Sequence, residues 1–325
     1  MSAPIIAALD LGSNTFRLML AEKRPEGVEI SPSGALMPSG PEPAWHNKKV
    51  YQHIPRLSEH LIPGGNFAPE ALKRAWESLE EFHGLIKEAG AGRVVAGATM
   101  AARLAADGSE FMAEISRRFA WETHILSGDE EARLTAAGVL SALEPLPESG
   151  LIFDIGGRST EFISTSGRAI VKSRSLAMGV VGLTEAHLSD PVGPGELEEV
   201  SKAVRSVVSE ADFSDVPAGA VLVGTAGTVT TVAALLLNLK DYEPELVNNA
   251  RLGREKIAGL LAALAAVPVA ERVSRYMLHP RRADAIVAGL VMVLEIMDHF
   301  GRPELLVSDN GLLEGVWLKA ARDFI

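Results

Sequence analysis

The sequence predicts an α/β protein of two duplicated domains, and three observations lead to this fold class. The chain has 325 residues, which is long for one ordinary domain and comfortable for two separate cores. Short apolar strands alternate with helical segments along the chain, as in layered α/β proteins. A strand–Asp–apolar–Gly–hydroxyl–strand pattern occurs twice, half a chain apart, which indicates two copies of one domain facing each other.

The composition excludes several classes of protein. A net charge of −11 argues against general nucleic-acid binding, because such binding depends on neutralising phosphates with Lys and Arg. The chain has no cysteine, which predicts neither disulfides nor thiolate chemistry and favours a reducing cytoplasm. No signal peptide is expected, and the apolar stretch 285–294 is shorter than the ~20 residues of a membrane span. We therefore predict a cytoplasmic protein without membrane contact, in which residues 285–294 form a buried helix.

The secondary-structure elements follow from apolar periodicity and from the turn residues between the apolar runs. Strands are predicted at residues 4–10, 16–21, 94–96, 151–154, 161–164, 220–223 and 305–307. The first two of these strands form a hairpin around a glycine turn. Helices are predicted at residues 69–89, 127–143 and 228–237. Pro69 suits the first turn of the first helix.

Two segments between these elements are predicted to be irregular. Residues 31–43 are rich in Pro, Gly and Ser. His46, His53 and His60 are seven residues apart but lie in a segment that contains proline, which we also expect to be irregular. The histidines of the chain show no spacing typical of metal ligands, so none is assigned a catalytic role.

Each copy of the repeated pattern is a candidate phosphate-binding turn. Glycine lets the backbone approach a ligand closely, and successive N–H groups together with hydroxyls form an anion-binding nest. An Asp at the strand end, Asp10 or Asp154, can hold a cation directly or through water. A plain β-hairpin would explain one copy, whereas two matching copies favour phosphate binding. The first turn consists of Gly12, Ser13, Asn14 and Thr15, and the second turn consists of Gly156, Gly157, Arg158, Ser159 and Thr160.

A third glycine-containing turn lies in the segment Gly224–Thr231, which follows a strand and opens a helix. The backbone donors at Gly224 and Thr225, together with the positive end of the helix dipole, would attract phosphate there. A tight strand–helix turn with Thr as the helix N-cap explains the same residues equally well. Both interpretations therefore stay open for this third turn.

Two glutamates are the candidates for catalysis. In the helix that begins at Ser127, Glu130 completes a capping box with that serine. Glu131 has no such role and lies on the face of Leu134, which should turn inward, although acids are favoured in any first helical turn. Glu161 directly follows the second turn and could position a metal or orient an attacking water. An ordinary strand residue facing solvent is the alternative for Glu161.

Basic residues are outnumbered by acidic ones, 31 to 42, so the positions of basic clusters matter. Arg103 follows a short alanine-rich segment, and Arg281 and Arg282 precede the apolar helix at 285–294. Arginine makes bidentate contacts with phosphate oxygens and suits a polyanionic substrate. For Arg281 and Arg282, the solvated start of a helix is at least as good an interpretation.

Seven segments recur in the order found in one known family. They are Ala8–Arg17, Thr99–Arg103, Ser127–Arg133, Asp154–Glu161, Ala177–Thr184, Gly224–Thr231 and Ser308–Gly315. Over essentially the whole chain, the sequence resembles the Ppx/GppA family of exopolyphosphatases and guanosine pentaphosphate phosphohydrolases. The resemblance implies the two-domain, ribonuclease H-like fold shared by sugar kinases and actin-like ATPases, with an interdomain cleft. We expect domains at 1–121 and 122–307, with the helix at 308–325 packing back on the first domain.

The resemblance also implies a role for each matching residue. Glu131 matches the general base, and Glu161 matches the second carboxylate, which positions water or metal. Asp10 and Asp154, together with Glu161, would lie near Mg²⁺ or another divalent cation such as Mn²⁺. Arg103 matches an arginine that contacts phosphate, and the first two turns would hold the phosphates.

The chain departs from the family pattern at several places. Arg158 stands where the second turn usually has a third glycine, and it could bind phosphate, block the turn or point away. Leu313 replaces a commonly basic residue, and residues 31–52 match poorly. The C-terminal helical domains of long family members are absent, so we expect a preference for short polyphosphate chains.

The resemblance implies metal-dependent hydrolysis of the terminal phosphate of inorganic polyphosphate. Guanosine pentaphosphate is the alternative substrate. A catalytically silent polyphosphate or nucleotide sensor is a further alternative because of Arg158, and a nucleotide-dependent kinase on the same fold is another. A homodimer is expected from the family alone.

Overall fold

The computed structural model describes residues 3–24, 27–30, 36–39 and 43–323. Backbone contacts divide the chain into two compact units. The first unit comprises Met1–Ala142, Arg168–Ile170 and Asn310–Ile325, and the second comprises Leu143–Gly167 and Val171–Asp309.

The first unit is built on a five-stranded sheet. Its strands are β1 (Ile5–Leu11), β2 (Phe16–Lys23), β5 (Trp45–His53), β6 (Arg93–Ala98) and β7 (Glu122–Ile125), and β3 (Val28–Ile30) and β4 (Leu36–Pro38) form a separate ribbon. The strand order is β5-β2-β1-β6-β7. β1 runs antiparallel to β2 and parallel to β6, so the predicted hairpin forms the centre of the sheet.

Four helices follow the strands of this unit in sequence. They are α1 (Pro69–Ala89), α2 (Met100–Leu104), α3 (Gly108–Phe119) and α4 (Gly128–Leu140). The bounds of α1 agree with the prediction, because Pro69 begins the helix and Gly90 ends it with a left-handed φ of 68°. Ser127 and Glu130 form the predicted capping box at the start of α4.

The second unit repeats this architecture. Its strands are β8 (Ser149–Ile155), β9 (Thr160–Ser166), β10 (Ala169–Leu176), β11 (Val221–Thr225), β12 (Arg251–Gly253) and β13 (Glu304–Val307). The order is β10-β9-β8-β11-β13-β12, with β8 antiparallel to β9 and parallel to β11. The first five strands in this order correspond to the five strands of the first sheet. Both sheets have a hairpin at the centre and parallel strands beside it. The predicted fold class, a duplicated ribonuclease H-like domain, is confirmed.

A buried apolar helix organises the core of the second unit. The helices are α5 (Val180–His187), α6 (Glu196–Val208), α7 (Ala226–Leu236), α8 (Pro244–Val247), α9 (Arg254–Ala265), α10 (Val269–Tyr276), α11 (Pro280–Ala283) and α12 (Ile286–His299). α12 packs against α5, α6, α7 and α9, and eleven of its residues are buried, as the prediction of a buried helix required. Among the described residues, no helix combines the length and apolarity that crossing a membrane requires.

The last helix, α13 (Leu312–Arg322), belongs to the first unit. It lies against β1, β6 and α4, and Trp317 Nε1 donates to the carbonyl of Ile6 at 3.2 Å. α13 crosses α4 closely at two glycines. A Cβ on Gly138 would lie 1.9 Å from the carbonyl oxygen of Gly311, and one on Gly315 would lie 1.9 Å from that of Leu134.

Three features of the first unit differ from the sequence-based expectations. The segment with His46 and His53 was predicted to be irregular, which is wrong, because it forms β5 on the edge of the sheet. Within the predicted irregular stretch 31–43, residues 36–38 form β4, whereas 31–35 and 40–42 lie outside the described residues. The unit continues to Ala142 instead of ending at 121, because β7 pairs with β6 and α4 packs on α13.

Candidate active site

The first turn is closed by its own backbone. The N–H of Gly12 donates to the carbonyl of Thr15 at 3.1 Å, and a Cβ on Gly12 would lie 2.9 Å from that oxygen. The carbonyls of Ser13 and Asn14 each accept a backbone N–H of the loop after β5 at 3.0 Å. Ser13 Oγ accepts the N–H of Ala101 at 3.1 Å, which ties the turn to α2. Only glycine fits the first position, and the turn is rigidly held.

Asp10 is the penultimate residue of β1 and lies directly opposite Arg17 of β2. Residues opposed on antiparallel strands project to the same face of the sheet, so this carboxylate and this guanidinium are neighbours. Glu314 of α13 is completely buried, is ion-paired with Lys48 of β5 at 2.8 Å and interacts electrostatically with Arg17. The segment Ser308–Gly315, prominent in the sequence, therefore contributes a buried carboxylate that interacts with Lys48 and Arg17.

Glu131 lies in the first turn of α4 with only 6% of its surface exposed, which confirms that this acid turns inward. It has a partner that the sequence did not reveal, because Arg103 Nη1 donates to Glu131 Oε2 at 2.8 Å. The same Nη1 donates to the carbonyl of Leu126 at 2.5 Å. Burial raises the pKa of the Glu131 carboxyl, and Arg103 only partly offsets that rise. A carboxylate with a raised pKa is the type of group that acts as a general base near neutral pH.

The second turn has the same closure as the first. The N–H of Gly156 donates to the carbonyl of Ser159 at 2.9 Å, and a Cβ on Gly156 would lie 3.1 Å from that oxygen. The carbonyls of Gly156 and Gly157 accept the N–H groups of Val180 and Val181, at 3.1 and 2.9 Å. The turn is therefore pinned to the start of α5, and the internal repeat extends to its hydrogen bonds.

Arg158 is directed along α5. Its Nη2 donates to Glu185 Oε2 at 2.6 Å, and a Cβ on Gly182 would lie 3.6 Å from its Nη1. Of the three arrangements that the sequence left open, the structure has the side chain extended over the helix and ion-paired there. Thr160 is fully buried and its hydroxyl donates to the carbonyl of Met178 at 2.7 Å, which gives it a role in holding the turn.

Asp154 and Glu161 stand directly opposite each other on β8 and β9. Glu161 is 1% exposed, not solvent-facing, and Ser175 Oγ donates to its Oε1 at 2.7 Å. Like charges directly opposed across strands are destabilising, so a cation beside them would be favoured. Within the described ranges, no group of three or more His, Asp and Glu side chains could form a metal site. Mg²⁺ is commonly held by one or two carboxylates with waters and substrate phosphates, and this pair fits that requirement.

The third turn is shaped mainly by packing. A Cβ on Gly224 would lie 2.9 Å from the Phe153 ring of β8 and 3.1 Å from Val229 of α7, so glycine is needed for close packing of strand and helix. Thr225 is buried and precedes α7 without making a side-chain cap. Arg282 Nη1 donates to Thr231 Oγ1 at 2.6 Å, so this arginine lies beside the first turns of α7. Arg282 is therefore only partly solvated, and only the fold reveals its contact with α7.

The comparisons with known proteins agree along nearly the whole chain. Residues 50–324 match the model of the Ppx/GppA phosphatase family. Exopolyphosphatase 2 of Mycobacterium tuberculosis (strain ATCC 25618 / H37Rv) is 29% identical over 334 residues, covering 99% of this chain and 100% of the relative. The crystal structure of the Aquifex aeolicus member of the Ppx/GppA family is 27% identical with a TM-score of 0.75, covering 98% of this chain and 97% of the other.

A crystal structure of an exopolyphosphatase-like protein is 28% identical with a TM-score of 0.85, covering 99% of this chain and 100% of the other. The family match therefore extends from the sequence to the fold of both units. It also includes the segments that carry Arg103, Glu131 and the second and third turns. The chain belongs to the Ppx/GppA phosphatase family.

Proposed function

We propose that this protein is an exopolyphosphatase that uses a divalent cation to hydrolyse the terminal phosphate of inorganic polyphosphate, with a preference for short chains. The observation that carries the proposal is the position of Glu131, a buried carboxylate at the start of a capped helix. Burial raises the pKa of this carboxyl. Such an environment brings the pKa of a carboxyl closer to neutral pH, where a general base is most effective. The relatives named exopolyphosphatase support polyphosphate as the substrate.

In the proposed reaction, the protein mainly positions and stabilises the phosphoryl group. The backbone N–H groups of the glycine turns and the guanidinium of Arg103 would bind phosphate oxygens of the substrate, and Glu131 would accept a proton from the attacking water. Asp154 and Glu161 would hold Mg²⁺ or Mn²⁺ together with waters and substrate phosphate, and a bound cation would offset negative charge on the phosphates. Donors fixed before the reaction stabilise the charge that develops during it. The acidic chain, with a net charge of −11, would rely on the cation for part of this stabilisation.

A phosphate-release assay across substrates tests the proposal. Tripolyphosphate, long-chain polyphosphate and guanosine pentaphosphate are compared with Mg²⁺, with Mn²⁺ and with a chelator. We expect release to be fastest from tripolyphosphate and to require the cation. Faster release from guanosine pentaphosphate would favour the nucleotide as substrate. Binding of tripolyphosphate without release under all conditions would contradict the proposal and favour a sensor.

A further inference from the structure

The contact between Arg103 and Glu131 is made by a single guanidinium nitrogen. Nη1 of Arg103 donates both to Glu131 Oε2 at 2.8 Å and to the carbonyl of Leu126 at 2.5 Å. Nη2 faces only Met100 Sδ at 3.9 Å among the described residues, which is a weak contact. Arginine binds carboxylate and phosphate most strongly through two parallel N–H groups. The observed pair is therefore a weaker, monodentate contact that a bidentate ligand could replace.

Arg103 is also connected to the first turn. It lies on α2, a five-residue helix, and the N–H of Ala101 in that helix donates to Ser13 Oγ. Thr99, the residue before α2, follows β6, which pairs with β1 beside Asp10. The backbone that carries Arg103 is thus bonded to the turn proposed to hold phosphate. An anion in the first turn would be in a position to compete with Glu131 for this guanidinium.

We propose that Arg103 covers Glu131 in the substrate-free protein and exchanges this carboxylate for the phosphoryl group of the bound substrate. The inference rests on the proposed function and adds a coupling between substrate binding and the strength of the base. In the free protein, the positive charge of Arg103 keeps the pKa of Glu131 lower than burial alone would, so the carboxylate is a weaker base. After the exchange, the buried carboxylate has lost its counter-charge and binds a proton more tightly.

The direction of the effect follows from the two influences on the carboxyl. Burial raises the pKa of Glu131, and Arg103 lowers it both as a charge and as a hydrogen-bond donor. When Arg103 leaves, only the raising influence remains, so the pKa rises further. An arginine beside a carboxylate lowers the pKa by about 1 to 3 units, and the rise should be of this size.

Other charged groups near α4 do not substitute for Arg103. Lys319 of α13 and His124 of β7 act on the neighbouring Glu130, which is exposed. Glu314 of α13 is ion-paired with Lys48. β4, which also packs on α4, contains no titratable residue. The remaining titratable residues on these elements are Asp129 and Arg133 on α4, Arg322 on α13 and Glu122 on β7.

The test is a titration of Glu131 that does not depend on turnover. The side-chain carboxyl carbon of glutamate is labelled with ¹³C, and its resonance at Glu131 is assigned by comparison with Glu131→Gln. The wild-type protein is titrated alone and with a tripolyphosphate analogue whose bridging oxygens are imido groups. We expect the analogue to raise the pKa of Glu131 by about 1 unit or more. In Arg103→Gln, the pKa should already be raised without the analogue, and the analogue should add little.

Arg93 provides a matched control in the same unit. Its side chain is 20% exposed, as is that of Arg103, and it also donates to a glutamate, Glu122, and to a backbone carbonyl. In Arg93→Gln, the pKa of Glu131 should equal that in the wild type, both with and without the analogue. No change in the wild type on adding the analogue, or an unshifted Glu131 in free Arg103→Gln, would overturn the exchange. Loss of phosphate release from every substrate would instead refute the proposed function, whatever the titration shows.

Discussion

Replacing Glu314 by Gln removes one charge from a buried network of the first unit. Glu314 is fully buried, its Oε1 lies 2.8 Å from Lys48 Nζ, and its Oε2 accepts the N–H of Gly311 at 2.8 Å. Lys48 Nζ also donates to Asn310 Oδ1 at 3.0 Å. Glutamine keeps the shape and an oxygen for Gly311 but leaves the ammonium without its counter-charge.

The expected loss of stability is about 3 kcal/mol. Removing one partner of a buried ion pair costs about 3–5 kcal/mol, because the other charge stays buried and uncompensated. The lower end applies because 21% of the Lys48 side chain is exposed and can regain water. Burial opposes ionisation of Glu314 most strongly, yet Lys48 and Arg17 together lower its pKa below the ordinary value of 4.5.

The effect should therefore depend on pH in a defined direction. A lowered pKa in the folded state contributes stability that is present above pH 4.5 and is lost as the pH falls through the folded value. Urea unfolding of wild type and Glu314→Gln at pH 7, and at several values below 4.5, measures this difference. Glu114→Gln is the control, because Glu114 forms an ion pair with the exposed Arg117 and should matter by less than ~1 kcal/mol.

A double-mutant cycle separates the ion pair from the loss of the carboxylate alone. Glu314→Gln should cost much less in a Lys48→Met background, because no uncompensated ammonium remains. The reasoning would be refuted by a cost below ~0.5 kcal/mol at pH 7, or by an equal cost in both backgrounds. It would also be refuted by a difference that grows as the pH falls below 4.5.

Three further predictions concern the cation, the helix crossing and the second turn. Mg²⁺ should raise the melting temperature of the wild type. Asp154→Asn or Glu161→Gln should remove that increase, because each change takes away one of the two opposed carboxylates. Equal increases in all three proteins would exclude this site. In denaturant titrations, Gly315→Ala should destabilise the protein by more than ~3 kcal/mol, because its Cβ would lie 1.9 Å from a backbone oxygen. Gly84→Ala in α1 is the control: its Cβ meets nothing within 4 Å, and the change should stabilise the protein by up to ~1 kcal/mol. Arg158→Gly should change the rate of phosphate release by less than about tenfold, or 1.4 kcal/mol, because the side chain is paired along α5; activity that appears only in this variant would instead support the sensor.

Features with strong local signals were predictable from the sequence. α1 lies between a proline that suits its first position and a glycine with φ of 68°, and α4 begins with a capping box formed by Ser127 and Glu130. The two glycine turns were recognised because each has no room for a Cβ at the same position, Gly12 or Gly156, and therefore requires glycine there. Such requirements are local, so a few neighbouring residues are enough to express them.

β5 was missed because its residues do not alternate in the usual way. The strand Trp45–His53 lies at the edge of the sheet, and most of its side chains are polar and at least partly exposed. Its pairing with β2, which contains an irregularity between Leu20 and Glu22, decides its structure. Tertiary pairing of this kind leaves little trace in hydrophobic periodicity.

The partners within the candidate site were also beyond the sequence. Arg103 and Glu131 are 28 positions apart, and Thr231 and Arg282 are 51 apart. Each pair depends on where separate elements meet in the fold. The inward direction of Glu131 could be predicted from the face of α4, whereas the identity of its cationic partner could not.

The central claim, that Glu131 is the base of a phosphohydrolase, is tested most directly by comparing Glu131→Gln with Asp129→Asn. Both changes remove a carboxylate from the first turn of α4, but Asp129 is exposed and Glu131 is buried. With tripolyphosphate and Mg²⁺, Glu131→Gln should lower kcat by about 10²–10⁴-fold without weakening substrate binding, while Asp129→Asn stays near the wild-type rate. A Glu131→Gln protein that releases phosphate as fast as Asp129→Asn would contradict the account.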